Sequence, residues 1–489
     1  MAQEHCLAID LGAGSGRVML GSFDGERIAV EELHRFENPG TEVLGSLFWD
    51  PLRLFGDMLD GIRAAAGAKP VSLGVDTWGV DFALLDRDGK LAGNPYHYRD
   101  SSTNGAMAEV FEVISKEEIF EHTGLQFMEL NSLFQLYARR NSPALESASS
   151  LLMMPDLFHY WFTGEQACEF TDATTSQCYD PRRRAWAHPV LEALGLPAAI
   201  FGPVIEPGTV LGPVRQPIAE ECGVAGMGVI VPGTHDTASA VAAVPAEGPS
   251  WAYLSSGTWS LLGVETSQPH VTPAVLSKNL TNEGGVCRTN RLLKNICGLW
   301  LLEECRREWS RLGIATEYDK LLSDAEASQP FRSVIDVDDP EFAPPGDMPS
   351  RIARKCRASG QPVPGSPGEF ARAIFEGLAL RYRSVMVDIA DVTGVAPAAL
   401  HVVGGGSRNQ LLSQFAADAC GVPVITGPVE ATAVGNVLMQ GIAAGRIGDL
   451  SQGREIVRRS FELRRYEPNP GLAGRWDSAA GRLAALCSG

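Results

Sequence analysis

Nothing in this chain is both long and apolar enough to span a bilayer, and its first residues, Met1-Ala2-Gln3-Glu4-His5, lack the basic and long apolar regions of a signal peptide. Basic residues are never dense. No cluster exceeds Arg182-Arg183-Arg184, which follows Asp180-Pro181 and reads as an exposed loop, and the net charge is −18. These absences argue against a membrane protein and against a nucleic-acid partner. Ten cysteines are scattered with no C-x-x-C pair and no zinc-like spacing to histidine, so a thiol-reduced, cytoplasmic protein is expected. What is present fits an ordinary soluble enzyme: 45% hydrophobic and 20% charged residues in 489, too many for one core, so two domains are expected. Pro245-Ala246-Glu247-Gly248-Pro249 marks the boundary, giving domains 1–245 and 246–489.

The segment Leu7-Ala8-Ile9-Asp10-Leu11-Gly12-Ala13-Gly14-Ser15-Gly16-Arg17-Val18-Met19-Leu20 carries the first chemistry. An apolar run ends in an aspartate, and a glycine-rich turn leads through an arginine into a second run. Such a turn can aim backbone N–H groups at an anion, while Asp10 can hold a metal and Ser15 and Arg17 can reach phosphate oxygens. A Walker A loop is excluded because no lysine follows the glycines. A dinucleotide fingerprint is excluded because Gly12, Gly14 and Gly16 have the wrong spacing. Both would also open a helix, whereas Val18 to Phe23 continues as a strand to the turn Asp24-Gly25, and Ile28-Ala29-Val30 begins another. A phosphate turn inside a β-meander, with aspartate ending the first strand, opens the actin-like ATPase fold. The alternative is a plain hairpin whose Asp and Gly serve only the turn.

Further along, Val71 to Val75 reads as a buried strand ending at Asp76, and Val80 to Leu85 as another. Residues 104–162 read as mostly helical, with breaks near Gly124 and Pro143. Gly228 to Val231 is a short strand running into Pro232-Gly233-Thr234-His235-Asp236 and a small-residue helix from Thr237 to Val244. Trp251 to Val264 repeats the strand, small-residue turn, strand pattern of residues 7–23 just beyond the boundary, as an internal duplication requires. Asn295 to Ser310 reads as an amphipathic helix, and Pro367 to Val392 as a long helix stopped by Gly394. Leu400 to Val403 is a strand ending in Gly404-Gly405-Gly406, then a helix capped by Gly421. Val424-Ile425 is a strand, and Val429 to Asn436 opens the next helix. Strand-Gly-helix units of this kind place a nucleotide at the carboxyl edge of a sheet.

Asp236, at a strand's carboxyl end, is the best catalytic base in the chain. As an alternative, Asp236 or Thr234 only caps the following helix. A helix N-terminus would keep Asp236 ionised and lower its basicity, which phosphoryl transfer tolerates because its base mainly orients the hydroxyl. His235 is then either a sugar contact or a satisfied core histidine.

With these motifs in place, the chain resembles the FGGY carbohydrate kinases. The resemblance rests on residues 9–20, Val75-Asp76-Thr77-Trp78-Gly79-Val80-Asp81-Phe82, Tyr98-Arg99-Asp100-Ser101 and His235-Asp236-Thr237-Ala238-Ser239-Ala240-Val241. It continues through residues 253–260, Asn282-Glu283-Gly284-Gly285, Leu292-Leu293-Lys294-Asn295, Gly298-Leu299-Trp300-Leu301-Leu302, Val403-Gly404-Gly405-Gly406 and Gly427-Pro428-Val429-Glu430-Ala431. It implies an α/β, two-domain, actin-like (ribonuclease H-like) fold with a catalytic cleft between the domains. It also implies ATP-dependent phosphorylation of the 1-hydroxyl of L-rhamnulose with Mg²⁺, by a monomer or homodimer.

On the same resemblance, Ala13, Gly14, Ser15, Gly16 and Arg17 would line the ATP phosphates, and Asp10 would hold the metal through water. Gly79, His235, Asp236 and Thr237 would contact the sugar, with Asp236 the proton acceptor. Thr258, Asn295 and Gly404 would bind nucleotide, and Glu303 would face adenine, ribose or solvent. From the residues alone, Thr258 could serve only its turn, Asn295 a helix N-cap, and Gly404 to Gly406 a tight strand-to-helix connection. Trp78 and Asp81 could be core or pocket. Three positions depart from the family pattern: Gly14 where a serine is typical, Glu303 where glutamine is common, and Thr234 where serine is usual. Alternative activities are a kinase for L-fuculose or a pentulose, an actin- or Hsp70-like ATPase acting on a protein, and a sugar-binding module without catalysis.

Overall fold

The computed structural model describes residues 3–314 and 316–487. The chain divides into two compact units. The first holds residues 1–245, 265–292 and 430–461, and the second holds 246–264, 293–429 and 462–489. Both are built on mixed α/β sheets.

The first unit's sheet contains β1 (Glu4–Leu11), β2 (Ser15–Phe23), β3 (Ile28–Glu37), β4 (Ser72–Thr77), β5 (Val210–Pro213) and β6 (Gly228–Ile230), in the order β5-β6-β4-β1-β2-β3. β1 runs antiparallel to β2 and parallel to β4, and β6 runs parallel to β4. β1 and β4 are central strands and therefore nearly continuous in apolar residues: Leu7, Ile9, Leu11, Leu73 and Val75 are all fully buried. The helix Pro51–Ala65 covers one face. Asp50 caps it, Pro51 opens it, and Leu54, Met58, Ile62 and Ala65 recur at the spacing that makes one buried stripe. The helix Ala431–Ala443, far away in sequence, lies along β1 and β4. Its Gln440 Nε2 donates to Leu7 O at 2.9 Å, and Asn436 Nδ2 donates to Gly74 O at 3.1 Å.

The second unit contains β7 (Ala252–Ser256), β8 (Trp259–Thr266), β9 (Asn290–Cys297), β10 (Leu400–Val403), β11 (Val424–Thr426) and β12 (Arg464–Tyr466). Within a seven-stranded sheet these six lie in the order β9-β8-β7-β10-β11-β12. β7 is antiparallel to β8 and parallel to β10, and β10 is parallel to β11. Thus β7 stands to its neighbours as β1 does in the first unit, the duplication that the sequence pattern predicts. The long helix Pro367–Thr393 starts at Ser366, whose side chain accepts from Glu369 N–H, and stops at left-handed Gly394, φ 73°.

Two expectations change. The stretch expected to be mostly helical holds five short helices, but a strand, Ser150–Met153, interrupts them and pairs antiparallel with Phe82–Leu85. Its Leu151, Leu152 and Met153 are buried, and a short apolar run does not distinguish strand from helix. The amphipathic helix begins at Trp300 rather than Asn295; Asn295 lies on β9, so it is not a helix N-cap. Among the described residues no helix is long and apolar enough to cross a membrane.

Candidate active site

Strand ends of the first unit bring its carboxylates together. Asp10 on β1 is in register with Asp76 on β4, and register partners in a parallel pair project to the same face. Thr77 N–H donates to Thr234 O at 2.8 Å, which holds the turn after β6 alongside. Asn436 Nδ2 reaches Asp76 Oδ2 at 2.6 Å, while Asp76 Oδ1 is buried without a hydrogen-bond partner among the described residues. Burial, with Asp10 close by, raises the Asp76 carboxyl well above its usual range, and Asn436 opposes this.

Arg17 sits opposite Asp10 across the β1–β2 pair. It lies 2.5 Å from Asp10 Oδ2 and also pairs with Glu430 at the start of the helix Ala431–Ala443. Burial disfavours the Arg17 charge, but the two carboxylates outweigh it and hold the guanidinium protonated. The turn between the strands is pinned by fully buried Asn38, whose Nδ2 donates to Gly12 O at 2.9 Å and whose N–H donates to Gly14 O at 3.1 Å. Gly16 is required by packing, since a Cβ there would overlap the Phe36 ring and Leu11. Gly14 is exposed with open space at its Cβ position, so the typical serine would fit without displacing anything. Ala13 and Ser15 flank it, partly open.

Gly79 rests on Thr175. The next residue, Val80, has φ 70°, a left-handed conformation rarely adopted by a β-branched residue. Thr175 Oγ1 accepts its N–H at 2.9 Å, and its carbonyl accepts from Ser132 Oγ at 2.5 Å. Trp78 and Asp81 are core. Asp81 accepts from Trp49 Nε1, Trp78 Nε1, Gln135 Nε2 and Tyr98 N–H at 2.6–3.1 Å. Burial pushes the Asp81 carboxyl up to about 6 against these donors.

Asp236 is the first residue of the helix Asp236–Ala242, and His235 occupies the capping position without a side-chain cap bond. Neither Asp236 nor Thr234 is therefore a capping side chain. Thr234 instead gives both its N–H (3.1 Å) and its hydroxyl (2.6 Å) to buried Glu169. The N–H of His235 donates to Thr171 Oγ1 at 3.1 Å, and Thr237 Oγ1 donates to Asp236 Oδ1 at 3.1 Å. The Asp236 side chain keeps 32% of its surface open. The expected lowering of its basicity is reversed: desolvation raises the carboxyl, His235 opposes, and Asp10 adds to the rise. Loss of hydration outweighs the hydrogen bonds that Thr237 gives the carboxylate at the start of the helix.

In the second unit, Thr258 is exposed at the tip of the β7–β8 turn. The carbonyls of Gly257 and Thr258 accept from Leu299 N–H and Trp300 N–H, each at 3.1 Å, which joins the turn to the start of the helix Trp300–Arg311. Gly404 and Gly406, after β10, abut Ser256; a Cβ on Gly406 would overlap its hydroxyl. Thr258, Gly404 and the helix bearing Glu303 are thus neighbours. Glu303 takes both carboxylate oxygens to Arg306 Nη1 at 3.0 Å, so its charge is balanced within its own helix.

Sequence reasoning assigned no role to Asn38, Glu169, Glu283, Arg291 or Glu430. Glu283 and Glu430 lie in motifs noted above. The other three carry no local signal, because their partners are distant in sequence.

The N-terminal domain of the FGGY family of carbohydrate kinases matches residues 5–243, and its C-terminal domain matches residues 252–444. A protein of Bacteroides thetaiotaomicron named rhamnulokinase is 45% identical over 98% of each chain. One of Pectobacterium atrosepticum with the same name is 41% identical over 97% of this chain and 96% of its own. Among solved structures, gluconate kinase from Lactobacillus acidophilus superposes with a TM-score of 0.82 at 16% identity, covering 99% of this chain and 98% of its own. Xylulose kinase from the same organism gives 0.81 at 16% identity, covering 99% and 97%.

Proposed function

Because the chain belongs to the FGGY family of carbohydrate kinases, we propose that it transfers the γ-phosphoryl group of ATP to the 1-hydroxyl of L-rhamnulose. The reading of the sugar is carried by the near-full-length identity to proteins named rhamnulokinase. The reading of the chemistry is carried by Asp236, a partly open carboxylate whose basicity is raised by burial. It accepts the hydrogen bond of the 1-hydroxyl, orients the oxygen for in-line attack, and takes the proton as the phosphoryl group transfers. Gly79, His235 and Thr237 would hold the sugar beside it.

Residues 13–17 would receive the ATP phosphates, with Thr258, Asn295, Glu303 and Gly404 toward the nucleoside. Hard oxygen donors suit Mg²⁺. The carboxylate of Asp10, beside the unpartnered Oδ1 of Asp76, fits such an ion. When bound, it supplies positive charge for the transferring phosphates. We place the enzyme in the cytoplasm, where its cysteines would stay reduced.

A coupled assay over L-rhamnulose, L-fuculose and pentuloses tests this reading. The expected result is ketose-dependent ADP release with the highest kcat/KM for L-rhamnulose. A higher value for another ketose would reassign the substrate. ATP hydrolysis indifferent to any ketose would return the actin- or Hsp70-like reading.

A further inference from the structure

Behind His235 lies a buried charged group that the reaction as described does not use. Arg291 is fully buried, a costly place for a cation unless it is paired. Its Nε donates to Gly284 O at 2.7 Å. Its Nη2 lies 3.2 Å from Glu283 Oε2 and 3.1 Å from His235 Nδ1. The opposite ring nitrogen, Nε2, lies 3.4 Å from Asp236 Oδ1. The charged groups facing the ring are thus Asp236 from its own helix and Glu283 and Arg291 from the segment 281–291.

A guanidinium has donors only and does not lose its charge in a protein. An Nδ1 proton would point at the Arg291 N–H, and a doubly protonated ring would set a second cation against it. Among the described residues, Glu283 Oε2, 3.3 Å from Nδ1, is the group that could draw a proton there, but its charge is balanced by the Arg291 ion pair at 3.2 Å. The contact with Arg291, at 3.1 Å, is the shorter and fulfils hydrogen-bond geometry with Nδ1 as acceptor.

We propose that Arg291, held by Glu283 and the Gly284 carbonyl, fixes His235 as the Nε2-protonated tautomer, so that an N–H rather than a lone pair faces Asp236 and the sugar oxygen beside it. Arg291 is then a positioning residue, acting through His235. In the other tautomer, the lone pair of Nε2 would oppose the carboxylate oxygen that must receive the sugar proton. The role toward the sugar rests on the kinase reading above; the tautomer does not. The support is anchored twice over. Gly284 N–H donates to Thr174 Oγ1 at 2.6 Å, and Thr171, from the same stretch, holds the His235 backbone.

The test is a long-range proton–nitrogen spectrum of the full chain with ¹⁵N-labelled histidine, without ligands near neutral pH, with His235 assigned through His235→Gln. The expected spectrum shows His235 protonated at Nε2 and bare at Nδ1. In Arg291→Gln, the Nδ1-protonated form should appear. The KM for the ketose should rise about tenfold, as for a lost hydrogen bond, while that for ATP stays within about twofold. Arg291→Lys, which restores a donor cation, should recover most of the tautomer. A wild-type ring protonated at Nδ1, or a folded Arg291→Gln variant with unchanged tautomer and ketose KM, would overturn the proposal. The wild-type spectrum needs neither substrate nor a stable variant, so its outcome is independent of whether the sugar assignment holds.

Discussion

The two units place their strands in the same order, yet they equip corresponding strand ends oppositely. In the first, β1 ends in Asp10, β2 brings Arg17, and the neighbouring β4 brings Asp76. In the second, β7 ends in Ser255-Ser256, the turn is Gly257-Thr258, and the neighbouring β10 ends in Gly404 to Gly406 packed on Ser256. One turn carries charge and the other carries close backbone. The fold therefore does not assign the chemistry. The side chains at the strand ends do, and on the proposed function they would give proton transfer and the cation to the first unit and the nucleotide to the second.

The largest test of this contrast pits the two units against each other by mutation. Asp236→Asn is expected to lower kcat by about 10² to 10⁴, the range for removing a general base, while ketose binding measured by calorimetry is largely kept. Thr258→Ala, in the neutral turn, should cost far less and act on ATP affinity. Equal losses from the two would break the comparison.

A second test uses pH. Burial raises Asp76, Asp81, Asp156, Glu169, Asp172 and Asp236 in the first unit, whereas in the second Glu376 is raised with Arg372 opposing. A carboxyl raised in the folded state gives stability that is present below its unfolded value and lost as pH climbs through its folded value. For Asp81, raised from 3.8 to about 6, that is about 3 kcal/mol. Hydrogen-exchange protection of the first unit, corrected for intrinsic rates, should therefore fall relative to the second as pH rises from about 4 to 7. Parallel behaviour would refute the contrast.

The smallest effects lie within the first turn. Gly16→Ala forces a Cβ into Phe36 and should cost about 1–3 kcal/mol in thermal or denaturant unfolding. Gly14→Ser should stay within about 0.5 kcal/mol. A destabilising Gly14→Ser would mean that the turn needs its glycine after all.

What the sequence made legible was local. The meander, the long helix from Pro367 to its Gly394 stop, and the strand-turn-strand repeat all announce themselves by periodicity and by turn residues. Asp10 and Asp236 were visible because each follows an apolar run, and Arg17 because it opens one. Contacts between distant segments were not legible. Nothing near residue 38 says that Asn38 will pin Gly12 and Gly14, and nothing near 291 says that Arg291 will meet His235. Asn295 misled because its helix-like spacing continues into a real helix five residues later. The direction of the Asp236 shift was missed because helix position is readable in a sequence and depth of burial is not.

The clasp of Arg17 between Asp10 and Glu430 has a consequence for the order of events. The turn between β1 and β2 is not a bare positive site: its arginine is already paired with two carboxylates. On the proposed function, nucleotide would bind by trading partners, Arg17 leaving Asp10 for phosphate and so baring a carboxylate for a divalent ion. On that reading occupancy by one ligand would prepare the place of the other, and by linkage each should tighten the other's hold by the same factor.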